Sequence, residues 1–186
     1  AKTVGQVEVL SGVPTLTHIV VGSFTTDPRE GNTGGTNFYM APDGTTVNAL
    51  GLPNGGLPYL RERGREMAKI AHDAGKKLVV SGAWSSPEEA GALATVAFDI
   101  GADVFERNDG CPNVFDGGKQ KEIASFNLDL MNEANKEVMA VAGTIREVWV
   151  KLSPYTNPRE RERVAELFRK TIISALVLTN TVPNVR

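Results

Sequence analysis

Short runs of apolar and largely β-branched residues recur along the chain, and between them lie segments whose apolar residues follow helical spacing. Six runs are predicted to be strands, at residues 7–10, 18–21, 77–80, 103–105, 148–152 and 175–179. Most of them are apolar nearly throughout, which is typical of parallel strands covered on both faces. The alternation of strands with helices predicts an α/β fold with a parallel sheet.

Two of the predicted helices have clear start signals. Ser86 and Pro87 supply an N-cap and a proline at the first helical position, and Glu89 has the spacing that closes a capping box. Asn157 and the proline after it repeat this start. Further helices are predicted over residues 58–74 and 127–142.

Two segments interrupt this alternation. Residues 26–53 are too many for a simple strand-to-helix connection, and apolar residues flank a Pro-Asp-Gly turn at 42–44, which predicts a hairpin over the mouth of a barrel. Conversely, only about seven residues separate the first two predicted strands, whereas a parallel crossover needs ~10–12. Either the first strand is wrongly assigned, or residues are missing there.

Composition excludes several classes of function. The chain has 186 residues, of which 41% are hydrophobic and 23% charged, and its formal net charge is −2. We therefore expect no nucleic-acid partner, and no apolar run approaches the ~18 residues of a membrane span. The single cysteine, Cys111, allows no internal disulfide, so the expected setting is the reducing cytoplasm. A lone intracellular cysteine is also a candidate nucleophile or base.

Several segments, in order, resemble the class 1 dihydroorotate dehydrogenases. They are DPREGN at 27–32, NALGLPN at 48–54, NDGCPNV at 108–114, VKLSPY at 150–155 and TNT at 179–181. The resemblance implies a (β/α)8 TIM-type barrel, incomplete as given with about six strands, and a single domain over residues 1–186 that lacks the C-terminal part of the barrel. It also implies FMN as cofactor and the oxidation of dihydroorotate to orotate in pyrimidine biosynthesis.

Candidate site residues follow from strand ends and from the resemblance. Asn108, Lys151 and Asn180 lie at or just beyond the C-terminal ends of predicted strands, where barrel active sites form. Lys151 suits the stabilisation of negative charge on a reduced flavin, and the resemblance makes Cys111 the base that removes the substrate proton. It implies FMN contacts at Gly12, Ser23, Asn108, Lys151 and Thr179, and substrate contacts at Asn48, Leu50, Gly51, Leu52, Pro53, Asn54, Asn113, Asn180 and Thr181. No metal site is predicted.

The sequence also departs from the family pattern. Gly22 stands where the family has a lysine that touches FMN and substrate, and Asp109-Gly110 replaces Leu-Ser before Cys111. Arg107 replaces an apolar residue, and its partner is either Asp109 or a substrate carboxylate. Three hypotheses therefore stay open: a dihydroorotate dehydrogenase-like enzyme with an orotate-like substrate, a flavin reductase for another cyclic amide or carbonyl, and a non-catalytic barrel remnant that serves in binding or assembly. The open sheet edges favour a homodimer.

Overall fold

A parallel sheet forms the centre of the computed structural model, which describes residues 1–33, 37–116, 119–120, 122–171 and 173–180. Its five strands lie in the order β1-β4-β5-β8-β9, and every neighbouring pair is parallel. They are β1 (His18–Phe24), β4 (Lys77–Ala83), β5 (Val104–Asn108), β8 (Glu147–Leu152) and β9 (Ala175–Leu178). The prediction of an α/β fold with a parallel sheet is confirmed, and this arrangement is that of an incomplete TIM barrel.

The first predicted strand, at residues 7–10, is wrong. These residues belong to helix α1 (Val4–Ser11), which begins with a capping box between Thr3 and Gln6. The main sheet of the described residues therefore has five strands rather than six. Because residues 1–17 contain no strand, the predicted connection that was too short for a parallel crossover does not exist.

The other helices begin close to their predicted positions. They are α2 (Gly56–Asp73), α3 (Pro87–Asp99), α4 (Leu128–Ala142) and α5 (Pro158–Arg169), with a 3₁₀ turn at Ala124–Phe126. Ser86 and Asn157 are N-caps, as predicted. Glu89 differs from the expected capping box, because its carboxylate accepts a hydrogen bond from the backbone N–H of Ser85.

Two short hairpins lie outside the main sheet. The predicted hairpin is confirmed as the antiparallel pair β2 (Phe38–Met40) and β3 (Thr46–Asn48). A second pair, β6 (Phe115–Asp116) and β7 (Lys119–Gln120), follows the Cys111 segment and was not predicted. Both hairpins belong to connections that leave the C-terminal ends of barrel strands.

The helices cover one face of the sheet and enclose most of the core. The larger cluster joins apolar residues of α1–α4 to β1, β4 and β5, and a smaller one joins Met131, Val150, Leu152, Val164 and Phe168. Successive residues of a strand point to opposite faces, so the polar Ser81 and Glu106, which are register partners, lie on the other face. That face carries the candidate site. No helix among the described residues has both the length and the apolar character needed to cross a bilayer.

Candidate functional site

A chain of hydrogen bonds crosses the polar face of the sheet from β1 to β8. Lys151 Nζ donates to Glu106 Oε1 over 2.8 Å, and Ser81 Oγ donates to the same oxygen over 2.7 Å. Ser23 Oγ lies 2.8 Å from Ser81 Oγ, and since the Ser81 hydrogen is used on Glu106, Ser23 donates to Ser81. The Glu106 side chain is only 4% exposed, whereas that of Lys151 is 22% exposed. The ammonium is therefore held in place by a buried carboxylate and still reaches the surface of the site.

Asn108 connects this chain to the end of β9. Its Nδ2 donates to Ser23 Oγ over 2.8 Å, and its Oδ1 accepts from Asn180 Nδ2 over 2.7 Å and from Gly110 N over 3.2 Å. The backbone N–H of Asn180 donates to Leu152 O. Four of the predicted site residues, on β1, β5, β8 and the segment after β9, thus lie together at the C-terminal edge of the sheet.

The segment that follows β5 contacts the loop that follows β3. Asn113 Nδ2 donates to the carbonyl of Asn48 over 3.0 Å. Asn32 joins the two, because its Nδ2 donates to the carbonyls of Asn113, over 3.0 Å, and Ala49, over 2.8 Å. The predicted substrate loop, residues 48–54, is therefore fastened to the segment that carries Cys111.

The side-chain amide of Asn54 holds the rest of the substrate loop in place. Asn54 Oδ1 accepts from the N–H groups of Gly56 and Thr25, and its Nδ2 donates to Leu52 O, so this side chain shapes the loop and the start of α2. Gly51 has φ +71°, and a Cβ there would lie 2.4 Å from Asn32 Oδ1. Leu50, by contrast, is 44% exposed.

Two cations donate to backbone carbonyls of this loop. Arg29 Nε lies 3.2 Å from Gly51 O, and Lys2 Nζ lies 2.6 Å from Pro53 O. Both influence the thiol of Cys111 electrostatically, as does Lys151. Positive charge is thus concentrated around the candidate base.

A cavity of about 440 Å³ opens beside Cys111. Its walls include Asn108, Leu52, Arg29 and Trp84, and its volume is that of a small-molecule site. Burial raises the pKa of the Cys111 thiol, while a hydrogen bond from the Asn113 backbone and the charges of the three cations act in the opposite direction. Burial prevails, so the resting thiol is protonated near neutral pH.

Asp109 does not place an unpaired carboxylate beside this thiol. It forms a fully buried ion pair with Arg107, in which Nε lies 2.8 Å from Oδ1 and Nη2 lies 2.7 Å from Oδ2. Trp84 Nε1 donates to Oδ1 over 2.8 Å, and Arg107 Nη1 donates to Asn135 Oδ1 over 2.7 Å. Of the two partners considered for Arg107, the structure therefore selects Asp109.

Comparison with known proteins identifies the family. A family model described as dihydroorotate dehydrogenase matches residues 3–186. The chain belongs to the dihydroorotate dehydrogenase family. The dihydroorotate dehydrogenase (quinone) of Deinococcus deserti is 26% identical over 172 residues, which are 88% of this chain and 46% of that protein.

A solved structure supports the fold of this family member. The crystal structure of DHODH from Eimeria tenella in complex with ferulenol matches with a TM-score of 0.75 at 17% identity, over 91% of this chain and 51% of that one. The chain thus spans about half the length of the relatives that it matches. Dihydroorotate dehydrogenases are oxidoreductases, and the likeness in structure shows that the barrel architecture is shared.

Two residues that the family resemblance selected take no part in the hydrogen bonds at this edge, and a third lies outside the described residues. Gly12 is the C-cap of α1, and the next residue, Val13, accepts a hydrogen bond from Lys76 at the N-terminal edge of the sheet. Gly12 is therefore at the wrong end of the barrel for a flavin contact. Thr179 is exposed next to Asn180, and Thr181 lies outside the described residues.

Several residues of the site were missed from the sequence. The predicted site residues and the substrate loop are held in place by hydrogen bonds from four side chains that were not predicted, namely Glu106, Ser81, Asn32 and Lys2. Glu106 has a signal that could have found it, since it lies two positions before Asn108 and therefore on the same face of β5. Lys2 has none, because its place depends on how α1 packs beside β1.

Gly22 cannot exchange for the lysine of other dihydroorotate dehydrogenases without local change. Its φ is +113°, and a Cβ would lie 2.4 Å from Ser81 O and 2.8 Å from Phe24 N. Any side chain here would have to displace the backbone of β4. The local backbone therefore does not accommodate a lysine at position 22.

Proposed function

We propose that this chain forms the cofactor-facing and substrate-facing part of an FMN-dependent oxidoreductase that converts dihydroorotate to orotate. The observation that carries the proposal is the convergence of Asn48, Asn108, Asn113, Lys151 and Asn180. Asn108 pairs with Asn180 and is the register partner of Lys151 at the C-terminal edge of the parallel sheet, and Asn113, in the segment that follows Asn108, donates to Asn48 of the substrate loop. In a (β/α) barrel, this edge is where active sites form.

The residues at this edge fit the polar rim of a flavin ring. Lys151 offers a cation, and Ser23 and Asn108 offer a hydroxyl and an amide within the same hydrogen-bonded chain. We propose that Lys151 and the second amide hydrogen of Asn108 donate to carbonyl and nitrogen acceptors of the ring, and that Ser23, whose own hydrogen is used on Ser81, accepts from a ring N–H. Glu106 holds the Lys151 ammonium at one position, which orients that donor before the cofactor binds. Bound FMN would supply the hydride acceptor of the reaction.

Cys111 is proposed as the base that takes the proton from the substrate. It borders the cavity, and the segment that carries it is fastened to the substrate loop through Asn113 and Asn48. Burial favours the neutral thiol, so proton removal depends on the positive charges of Lys2, Arg29 and Lys151 to stabilise the thiolate. The amides of Asn48 and Asn113 lie where a planar cyclic amide could be held against this thiol.

The proposal is tested by flavin titration followed by reduction. Purified protein is titrated with FMN, and the holoprotein is mixed with dihydroorotate without oxygen while the flavin absorbance is recorded. We expect binding and bleaching in the wild type, and weaker binding for Lys151→Met. Lys77→Met is the matched control, because Lys77 is an exposed cation at the opposite edge of the sheet. Failure to bind FMN would contradict the proposal and favour a non-catalytic binding module.

A flavin reductase with another substrate is the second candidate, and one observation favours it. The backbone at Gly22 cannot accommodate the lysine that the family uses at this position. Binding of FMN without bleaching by dihydroorotate would support this candidate, and other cyclic amides or carbonyls would then be screened. Cytoplasmic location and homodimer formation stay predictions, which fractionation and sedimentation would test.

A further inference from the structure

Trp84 borders the cavity beside Cys111, and its indole N–H is already bonded to the protein. Trp84 follows β4, and its Nε1 donates to Asp109 Oδ1 over 2.8 Å. Trp84, Asp109, Asn108 and Cys111 all line this cavity of about 440 Å³. The indole therefore forms part of the wall of the space that the candidate base borders.

The carboxylate that holds this indole is itself fixed. Asp109 forms the fully buried ion pair with Arg107, whose Nη1 also donates to Asn135 Oδ1 over 2.7 Å. The Arg107 guanidinium lies over the Trp84 ring, with Cζ 5.5 Å from the ring centroid. Turning the indole away would separate it from this cation and would break its hydrogen bond to a buried acceptor, and both changes are unfavourable. The ring is thus held in one orientation before a ligand binds.

The ring surface that borders the cavity is not the surface that Arg107 covers. Arg107 is fully buried and is not among the described residues that line the cavity. Trp84 also packs at the margin of the larger core cluster, so packing and the ion pair account for only part of its surface. The remaining part is an aromatic surface that a ligand in the cavity can contact.

Trp84 is the aromatic member of a cavity wall whose other large apolar side chains are mostly branched and aliphatic. Among the described lining residues, these are Leu52, Val114, Ile123 and Leu130. Aliphatic side chains accept apolar groups of many shapes, whereas a flat ring pairs best with another flat ring in an offset or edge-to-face arrangement. The wall beside Cys111 therefore favours a planar ligand.

We propose that Trp84 is a specificity-determining residue of the cavity beside Cys111, where its indole packs against the planar ring of the ligand. Asp109 and Arg107 are positioning residues, because they act on the ligand through the orientation of the indole. Both are departures from the family pattern, and the apolar residues that they replace could not accept the indole N–H or form this ion pair. The inference rests on the proposed function for its ligand, a planar cyclic amide such as orotate.

Orotate binding tests the role of the indole directly. The affinity is measured by calorimetry on the full chain, without FMN and with FMN at saturation. Trp84→Leu removes the aromatic surface and should weaken orotate binding about two- to tenfold, whereas Trp84→Phe keeps a flat ring and should retain most of the affinity. Trp149→Leu is the matched control, since Trp149 donates to Glu147 and is not among the described residues that line the cavity. It should leave orotate affinity unchanged.

A fluorescence titration observes the indole itself. The sequence has two tryptophans, so Trp149→Phe leaves Trp84 as the single indole. Orotate should change the emission of this variant. The same titration of Trp84→Phe corrects for the light that orotate absorbs, and it should show no change beyond that correction.

The positioning role is tested by removing the ion pair as a whole. Arg107→Leu with Asp109→Leu leaves no unpaired buried charge and releases the indole from its acceptor. This double variant should weaken orotate binding about as much as Trp84→Leu, and it should add nothing when combined with Trp84→Leu. A further loss in the combined variant would contradict an action through Trp84. If the double variant does not fold, the two Trp84 variants still decide, because they leave the ion pair in place.

The outcomes separate this inference from the proposed function. Unchanged orotate affinity in Trp84→Leu, or an equal loss in Trp149→Leu, would overturn the role of Trp84, as would a wild type that does not bind orotate in either condition. A loss specific to Trp84, without bleaching of bound FMN by dihydroorotate, would support the inference and contradict the proposed reaction. Bleaching in the wild type with no effect of Trp84→Leu on orotate affinity would have the opposite meaning.

Discussion

The buried pair Arg107–Asp109 offers a sharp test of how the Cys111 segment is held. Asp109→Asn keeps the size of the side chain and removes its charge. In the wild type, the carboxylate accepts three hydrogen bonds, two from Arg107 at 2.7 and 2.8 Å and one from Trp84 Nε1 at 2.8 Å. The variant leaves the fully buried Arg107 guanidinium without its counter-charge.

The expected loss of stability is large because the unpaired charge remains buried. Removing one partner of a buried ion pair costs about 3–5 kcal/mol. At about 2–4 °C per kcal/mol for a domain of this size, the melting temperature should fall by about 6–20 °C. Replacing both residues, as in Arg107→Leu with Asp109→Leu, removes both charges and should cost less than Asp109→Asn alone, although Trp84 and Asn135 each lose a partner.

Urea unfolding followed by circular dichroism would measure the wild type, both single leucine variants, the double variant and Asp109→Asn. We expect the two leucine substitutions to be strongly coupled, with the double variant far more stable than the sum of the single effects predicts. Purely additive losses, or a loss below about 1 kcal/mol for Asp109→Asn, would refute the argument that the pair is energetically coupled.

Three further predictions concern Cys111 and Gly22. Cys111→Ala should lower dihydroorotate turnover by about 10²–10⁴-fold and leave FMN affinity unchanged; unchanged turnover would remove this thiol from the mechanism. Because burial raises the pKa of the Cys111 thiol, its alkylation by iodoacetamide should rise with pH only above the range of an ordinary thiol, and in urea the profile should move down to that range. Gly22→Ala should cost about 1–3 kcal/mol more in urea unfolding than Gly44→Ala, because both glycines have positive φ but only a Cβ at Gly22 meets Ser81 O, at 2.4 Å. Equal losses would show that φ alone matters.

The sequence by itself determined the fold class and most of the elements. The runs at 77–80 and 148–152 are apolar enough to predict buried strands whatever the order of strands in the sheet. Ser86 and Asn157 determine where two helices begin, because each side chain accepts a hydrogen bond from a backbone N–H of the first helical turn. Both kinds of signal depend only on residues that are close in sequence, so they can be recognised without knowing which elements pack against them. The order of the motifs was also sufficient for the family, which the match over residues 3–186 confirms.

Residues 7–10 show where local pattern fails. A short apolar run suits a strand or a buried helix equally, and the capping box at Thr3 and Gln6 was the signal that could have decided between them. The packing of α1 against α2 and β1 determines that these residues form a helix, which the apolar run alone did not indicate.

The partners of charged residues were decided only by the tertiary structure. The sequence left Arg107 with two possible partners and gave no reason to notice Lys2, Ser81 or Asn32. Contacts such as Lys2 with Pro53 and Ser23 with Ser81 join residues that are 51 and 58 positions apart. The Ser23–Ser81 contact arises because parallel strands bring their C-terminal ends to one edge of the sheet, and the Lys2–Pro53 contact arises because the residues before α1 lie beside the end of β1. Only this tertiary arrangement determines which charges are paired at that edge.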